Sequence, residues 1–276
     1  MKLFHKVAIV GTGLIGGSLA LAIKKQRLAD EVIGVSRRKN TLLLAKKNRS
    51  IDKGSQDINI IKDADLVILA TPVSIILKLA PKISKIIKRD CIVTDVGSTK
   101  QEIVSRLERI FLNYVGSHPL SGSEKRGILN AGPLIFKDSL CILTPTKNTD
   151  ERSLSKIKQL WNLVGTKVVF LTPDAHDKIL SFTSHLPHIV AFSLIGAVPR
   201  KYFKFSATGL KDTTRIAASD SQIWCDIFLS NQKNIVRAME SFQERLSKIK
   251  SAINKKDKKL LHLILKEAKV KRGSLI

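Results

Sequence analysis

Val7-Ala8-Ile9-Val10-Gly11-Thr12-Gly13-Leu14-Ile15-Gly16-Gly17-Ser18-Leu19-Ala20 decides the fold of this chain. Residues 7–10 are apolar and read as a short strand buried on both faces, and residues 14–25 read as a helix. Between them the glycines fall at the spacing Gly-x-Gly-x-x-Gly, a pattern that gains meaning from its strand–turn–helix setting. Gly11 permits the sharp turn, Gly13 lets a pyrophosphate approach the backbone, and Gly16 lets helix and strand pack closely. The helix start at Leu14, Ile15 and Gly16 presents free N–H groups and a positive dipole end to phosphates. A dinucleotide-binding unit is the expectation, and an ordinary glycine turn is the competing reading.

Working outward, residues 31–35 form an expected second strand that ends in Ser36-Arg37-Arg38-Lys39. An NAD-binding unit usually carries Asp or Glu about twenty residues past its last glycine, for the ribose 2′-hydroxyl. Here that position is Ser36, and Arg37 and Arg38 offer planar forks suited to a 2′-phosphate. NADP is therefore expected ahead of NAD. A helix over 40–48 and a polar loop follow. Strands are expected at 65–70, closed by Thr71-Pro72-Val73, at 91–96, closed by Gly97-Ser98-Thr99-Lys100, and from 113–116. Helices are expected over 74–87 and to about 110. This alternation predicts a doubly wound, Rossmann-like parallel sheet. Ligands of such sheets sit at the strands' carboxyl ends. Gly11 to Gly16, Ser36 to Arg38, Thr71, Pro72, Ser98 and His118 should then surround one crevice. A strand at 139–145, a helix at 150–164 and a strand at 167–171 complete the first domain.

The texture changes at Pro173. Helical spacing runs to the end, with one long apolar helix over 174–197, kinked at Pro187, and further helices around 211–229, 231–253 and 256–269. The expectation is a dinucleotide-binding domain over 1–172 and an all-α substrate and dimerisation domain over 173–276. Apolar helices with little sheet to cover suggest a homodimer. No run of eighteen apolar residues occurs, so no membrane-crossing helix is expected. Met1-Lys2-Leu3-Phe4-His5-Lys6 leads straight into the first strand, so no signal peptide is expected either. Cys91, Cys141 and Cys225 are odd in number and scattered, which argues against disulfides and a metal site and for a reducing cytoplasm. The 276 residues carry a formal net charge of +25, which admits nucleic-acid binding. The lysines, however, are spread over the whole chain, and only 5% of residues are aromatic. Nucleic acid is thus not an expected partner. A basic proteome or attraction of anionic substrates into a cleft accounts for the charge.

Three constellations could carry chemistry. In Gly116-Ser117-His118-Pro119-Leu120-Ser121-Gly122-Ser123, His118 is expected on a loop at a strand's carboxyl end. It could serve there as an acid or base near neutral pH, or as a structural histidine. In Ser184-His185-Leu186-Pro187-His188 the two histidines share a helix face. They lack a third ligand of matching spacing for zinc, and a core or hinge role for His185 competes with a site role. In Gly209-Leu210-Lys211-Asp212-Thr213-Thr214-Arg215 an acid and an arginine lie three apart, as a substrate grip or as a surface ion pair.

Together these motifs resemble the prephenate/arogenate dehydrogenase family of tyrosine biosynthesis. The resemblance spans nearly the whole chain. It runs through Gly11–Gly16, Asp95-Val96-Gly97-Ser98, His118-Pro119-Leu120-Ser121-Gly122, Leu143-Thr144-Pro145-Thr146, Ser184-His185-Leu186-Pro187-His188 and Lys211-Asp212-Thr213-Thr214-Arg215. Ser117 departs from a usual glycine and Ser123 from a common threonine. No fused mutase or regulatory domain is expected. The resemblance implies an NAD(P)-dependent oxidative decarboxylation of a cyclohexadienol, with prephenate expected ahead of arogenate. It implies that His118 is the base at the 4-hydroxyl. Ser98 would bond that hydroxyl and orient His118 beside the nicotinamide. Arg215 would clasp a carboxylate, Asp212 would orient its neighbours, and His188 and Ser123 would line the side-chain end. Since a free histidine titrates near 6.5, activity should climb through roughly pH 6–7. Two rivals remain. One is a β-hydroxyacid dehydrogenase, for which Lys178 is the only candidate base and which leaves the His118 motif unexplained. The other is a non-catalytic NADP-binding protein.

Overall fold

A computed structural model describes residues 2–122 and 127–275. The glycine stretch folds as its spacing dictates: β1 (Phe4–Val10) turns at Gly11 into α1 (Leu14–Lys25). There follow β2 (Ala29–Val35), α2 (Lys39–Lys47), β3 (Lys53–Ser55), β4 (Leu66–Leu69), α3 (Val73–Ile83), β5 (Ile92–Asp95), α4 (Gln101–Leu107) and β6 (Tyr114–Val115). The six strands pair in parallel in the order β3-β2-β1-β4-β5-β6. This is the doubly wound sheet expected from the alternation. The addition is β3, a three-residue edge strand within the expected polar loop; Lys53-Gly54-Ser55 carries no apolar alternation that would reveal it.

After Gly116 the chain leaves this sheet. β7 (Ser117–Pro119), β8 (Leu140–Leu143) and β9 (Lys167–Phe170), with α5 (Glu151–Leu163) between the last two, make a second sheet in the order β7-β8-β9. β7 runs antiparallel to β8, and β8 parallel to β9. The expectation of one continuous parallel sheet is corrected here, and so is the loop expected for His118, which lies on β7. The reasons are local. A Cβ at Gly116 would fall 2.4 Å from Thr144 Oγ1 and 2.9 Å from Val104 Cγ2, so only glycine passes the crossing between sheets. Pro119 lacks an N–H, which an edge strand such as β7 tolerates.

Side-chain alternation divides the core. Val7 and Ile9 enter one buried cluster with Leu19, Ile23 and Trp161; Ala8 and Val10 enter the other with Ile76, Ile83, Ile103 and Leu107. β1 is therefore buried on both faces, and each large apolar side chain so placed contributes about 1.5–3 kcal/mol.

α6 (Pro173–Leu180), a π-helical turn at Ser181–His185 and α7 (Leu186–Ala197) form one helix. Thr172 Oγ1 caps it, accepting from Ala175 N at 3.2 Å. The irregularity expected at Pro187 is the wide turn just before it, which contains Thr183, whose carbonyl a proline cannot bond. A 3₁₀ turn at Arg200–Phe205 leads to α8 (Thr208–Thr214), a second 3₁₀ turn at Arg215–Ala218 and α9 (Ser221–Ser230). The single helix expected over 211–229 is thus broken, because the Asp220 carboxylate caps α9 by accepting from Gln222 N and Ile223 N. α10 (Gln232–Asn254) and α11 (Lys258–Gly273) follow, α11 being capped by Asp257.

Two compact units make up the chain, Met1–Asn231 and Gln232–Ile276. The change of texture near residue 172 marks the end of the last strand, while α6 to α9 share the unit of the sheets. By length and composition alone Pro173–Ala197 matches a membrane-crossing helix, with a mean hydropathy of 1.4 over eighteen residues, although it holds no unbroken run of eighteen apolar residues. Scattered Ser, Thr and His interrupt the run without lowering the mean enough. Of that window 22% is buried, and in α7 only Ala191 is.

Gly16 is the most closely packed of the glycines: a Cβ there would meet Gly11 O at 2.0 Å and Ile9 Cγ2 at 3.0 Å. Gly16→Ala is expected to cost about 1–3 kcal/mol, the usual penalty of overpacking. Gly13→Ala, with nothing within 4 Å of its Cβ, should leave stability unchanged. Urea unfolding of both variants measures the contrast.

Candidate active site

The carboxyl ends of β1, β2, β4 and β5 open on the glycine turn. Gly11, at φ 105°, donates its N–H to Val35 O at 2.9 Å, which draws the start of Ser36-Arg37-Arg38 beside it. Ser36 is half-buried and accepts from Arg38 N, while Arg37 and Arg38 are exposed. α1 begins at Gly13 with no side-chain cap and no acidic residue in its first turn. Nothing lies within 4 Å of a Cβ built on Gly13, so the start of α1 has open space beside it. Thr71 and Pro72 follow β4, with Pro72 leading into α3. The hydroxyls of Thr12 and Thr71 are buried without a partner. Uncapped amides, an open glycine and an orphaned hydroxyl fit a dinucleotide pyrophosphate, and they are the groups that would hold it.

Beyond β5 the site is built on charge. Asp95 is fully buried; it pairs with the fully buried Lys100 Nζ and accepts Gly97 N at 2.8 Å, Tyr114 Oη at 2.7 Å and Ser117 N at 3.3 Å. Ser117, the departure from glycine noted above, is also fully buried, and its hydroxyl meets Thr94 Oγ1 at 2.7 Å. His118 follows. Its Nδ1 lies 2.8 Å from His176 Nε2 on α6, and His176 Nδ1 lies 2.8 Å from Asp177 Oδ1. Asp177 Oδ1 accepts Lys100 N at 2.7 Å, and Oδ2 accepts Gln101 N at 2.9 Å. Burial, helped by His176 and Lys100, holds His118 well below the ordinary histidine range, so it is neutral at physiological pH. Ser98 is half-buried at the end of β5, and the ring bond of His118 runs to His176 rather than to Ser98.

The long helix continues the site. His185 is buried, and Asn231 Nδ2 donates to its Nδ1 at 3.2 Å and to Asp177 O at 2.8 Å. Burial lowers His185 to about 4. His188 is half-buried, stacked on Trp224 at 3.5 Å between ring centroids, and shifted down by burial. α7 packs against α8, which carries Asp212, and against the 3₁₀ turn that starts at Arg215. Asp212 and Arg215 are exposed. Ser123 lies outside the described residues. Lys178 is exposed, one residue past the buried His176-Asp177 pair. Among the described residues no three His, Cys, Asp or Glu group to hold a metal.

His176, Asp177, Asn231, Trp224 and Lys100 were not singled out from the sequence. The one available signal was Thr172-Pro173-Asp174, a helix start directly after the last strand, which brings the next turn to the carboxyl edge.

This chain resembles known proteins over nearly its whole length. Residues 19–170 match the family model for the prephenate dehydrogenase nucleotide-binding domain, and residues 172–267 that for the prephenate dehydrogenase dimerization domain. The first supports a nicotinamide dinucleotide cofactor and the second a homodimer. Prephenate dehydrogenase of Bacillus subtilis is 34% identical over 98% of this chain and 76% of its own length. Cyclohexadienyl dehydrogenase of Zymomonas mobilis is 33% identical over 100% of this chain and 97% of its own. The crystal structure of Aquifex aeolicus prephenate dehydrogenase with hydroxyphenyl propionate and NAD+ superposes with a TM-score of 0.93 at 35% identity. It covers 99% of this chain and 98% of that one.

The buried histidines make a stability prediction. His185 titrates near 6.5 when unfolded and at about 4 when folded. Its contribution is full above pH 6.5 and is lost as pH falls toward 4, by about 3 kcal/mol. Denaturant unfolding at pH 7 and 4.5 should show the drop, and His185→Asn should make it shallower.

Proposed function

The chain belongs to the prephenate dehydrogenase family, and on that premise we propose that it converts prephenate to 4-hydroxyphenylpyruvate, carbon dioxide and reduced cofactor. The single observation that carries the reading is the placement of His118 on β7, just past the crossing from the large sheet, with its Nδ1 held 2.8 Å from His176 Nε2. A bound nicotinamide would supply the acceptor for the hydride that leaves C4 of the ring. His118 takes the proton of the 4-hydroxyl, so that the oxygen's electron pair can form the ketone that decarboxylation converts to a phenol. Ser98, on the loop after β5, is assigned a hydrogen bond to that hydroxyl. Arg215 is assigned the ring carboxylate through a bidentate contact, with Asp212 orienting its surroundings and His188 and Ser123 at the side-chain end. The stack of His188 on Trp224 gives that end a flat wall.

Residues 1–172 are assigned to the cofactor, and 173–276 to substrate and dimer contacts, the bare apolar side of α7 being the surface for a second copy. Three free cysteines, one exposed, support a reducing cytoplasm. Arogenate is the second substrate reading, favoured by the Ser36-Arg37-Arg38 corner, which also supports NADP over NAD.

His118→Asn should lower kcat about 10²–10⁴-fold with KM nearly unchanged, whereas Arg215→Ala should chiefly raise KM for substrate. Because His118 is shifted down, the acid limb of kcat/KM should lie below pH 6.5, lower than the pH 6–7 climb expected of a free histidine. Steady-state kinetics across pH, with prephenate and arogenate side by side, decide these points. On the cofactor side, kcat/KM with NADP should exceed that with NAD by about tenfold or more. Arg37→Ala/Arg38→Ala should erase that margin while sparing the NAD reaction.

A further inference from the structure

The three groups His118, His176 and Asp177 form a chain of hydrogen bonds with a fixed direction. We infer that His176 and Asp177 lock His118 in the tautomer that leaves Nε2 bare toward the reacting hydroxyl. The inference rests on the reading of His118 as the base.

The direction is set at the far end. Asp177 accepts two backbone amides, Lys100 N on Oδ1 and Gln101 N on Oδ2, and amide donors cannot reverse. An ionised carboxylate only accepts, so His176 Nδ1, 2.8 Å from Oδ1, carries a proton. A neutral imidazole with a protonated Nδ1 has a bare Nε2. His118 Nδ1, 2.8 Å from that nitrogen, must then be the donor. The one proton of neutral His118 is thereby committed, and its Nε2 holds the lone pair.

The opposite polarity requires a doubly protonated His176. That ring is fully buried, with the Lys100 ammonium as a near cation and with His185 and Asp95 as its other titratable neighbours. Burial opposes the charge more strongly than Asp177 supports it, so His176 stays neutral. The relay is also pinned against motion. Asp177 is fully buried, its carbonyl is held by Asn231 Nδ2 at 2.8 Å, and the two imidazole rings sit 5.0 Å apart at 54°. When the substrate O–H bond breaks and an Nε2–H bond forms, the positive charge on His118 strengthens its bond to His176. No proton need move further. A carboxylate that orients an imidazole without taking its proton is known from serine-protease triads; here a second histidine intervenes.

His176 and Asp177 are thus positioning residues. The decisive measurement is on the wild-type protein, whose histidine ring nitrogens can be read by long-range ¹H–¹⁵N correlation at neutral pH. The His118 signals are assigned by their loss in His118→Asn. The expected pattern is a protonated Nδ1 and a bare Nε2; a protonated Nε2 overturns the proposal. In His176→Leu, kcat should fall at least about tenfold with KM and the Kd for NAD within twofold, and the His118 signals should move toward the Nε2–H form. An unchanged kcat or an unchanged tautomer overturns the proposal equally. If that variant does not fold, the wild-type spectrum decides. Retained activity in His118→Asn would instead refute the base assignment, which keeps the two failures distinct.

Discussion

The ion pair between Asp95 and Lys100, both fully buried, is the constraint on which the site depends. A charge taken from water is tolerable only when its bonds are replaced. Asp95 finds its replacements from four directions: Lys100 Nζ, the Gly97 amide, the Tyr114 hydroxyl and the Ser117 amide. Those partners are the end of β5, the start of α4, the last strand of the large sheet and the first residue of β7. One carboxylate thereby fixes where the chain crosses from one sheet to the other, and His118 is the next residue. Burial and the Asp95 charge push the Tyr114 phenol up, so it remains a donor. Lys100 also turns its own backbone N–H toward Asp177, so the same residue ties the strand end to the long helix.

Much of this was legible locally. The glycine spacing, the apolar strands and the boundary residues of α1 follow from patterns within a dozen residues. Residues 113–116, however, read as a strand ending in a loop at His118, because the crossing at Gly116 is set by Thr144 and Val104, distant in sequence. The division into two sheets was therefore hidden. The His118–His176 contact spans 58 positions, and nothing in the spacing of either histidine announces it. Ser117 looked like a departure from pattern, and its hydroxyl proves to be satisfied by Thr94. The break at Asp220 was concealed because a capping aspartate inside an apolar helical period resembles a surface residue.

The helical half divides its polar groups by depth. His176, Asp177 and His185 are sunk and bonded, whereas Phe182, Leu194 and Ile179 are exposed on the same helix. Such a helix is amphipathic in an inverted sense. Its polar side is inside and its apolar side is outside, within the stretch that matches the family's dimerization domain.

The π-helical turn at Ser181–His185 sets the phase between the two ends of that helix. Each residue of an α-helix advances the side-chain direction by about 100°. Loss of one residue in this turn would swing His188 and its Trp224 stack about a quarter of the way around the axis, while His176 stayed in place. The residue count of this turn thus fixes the angle between His176 and His188 around the helix axis.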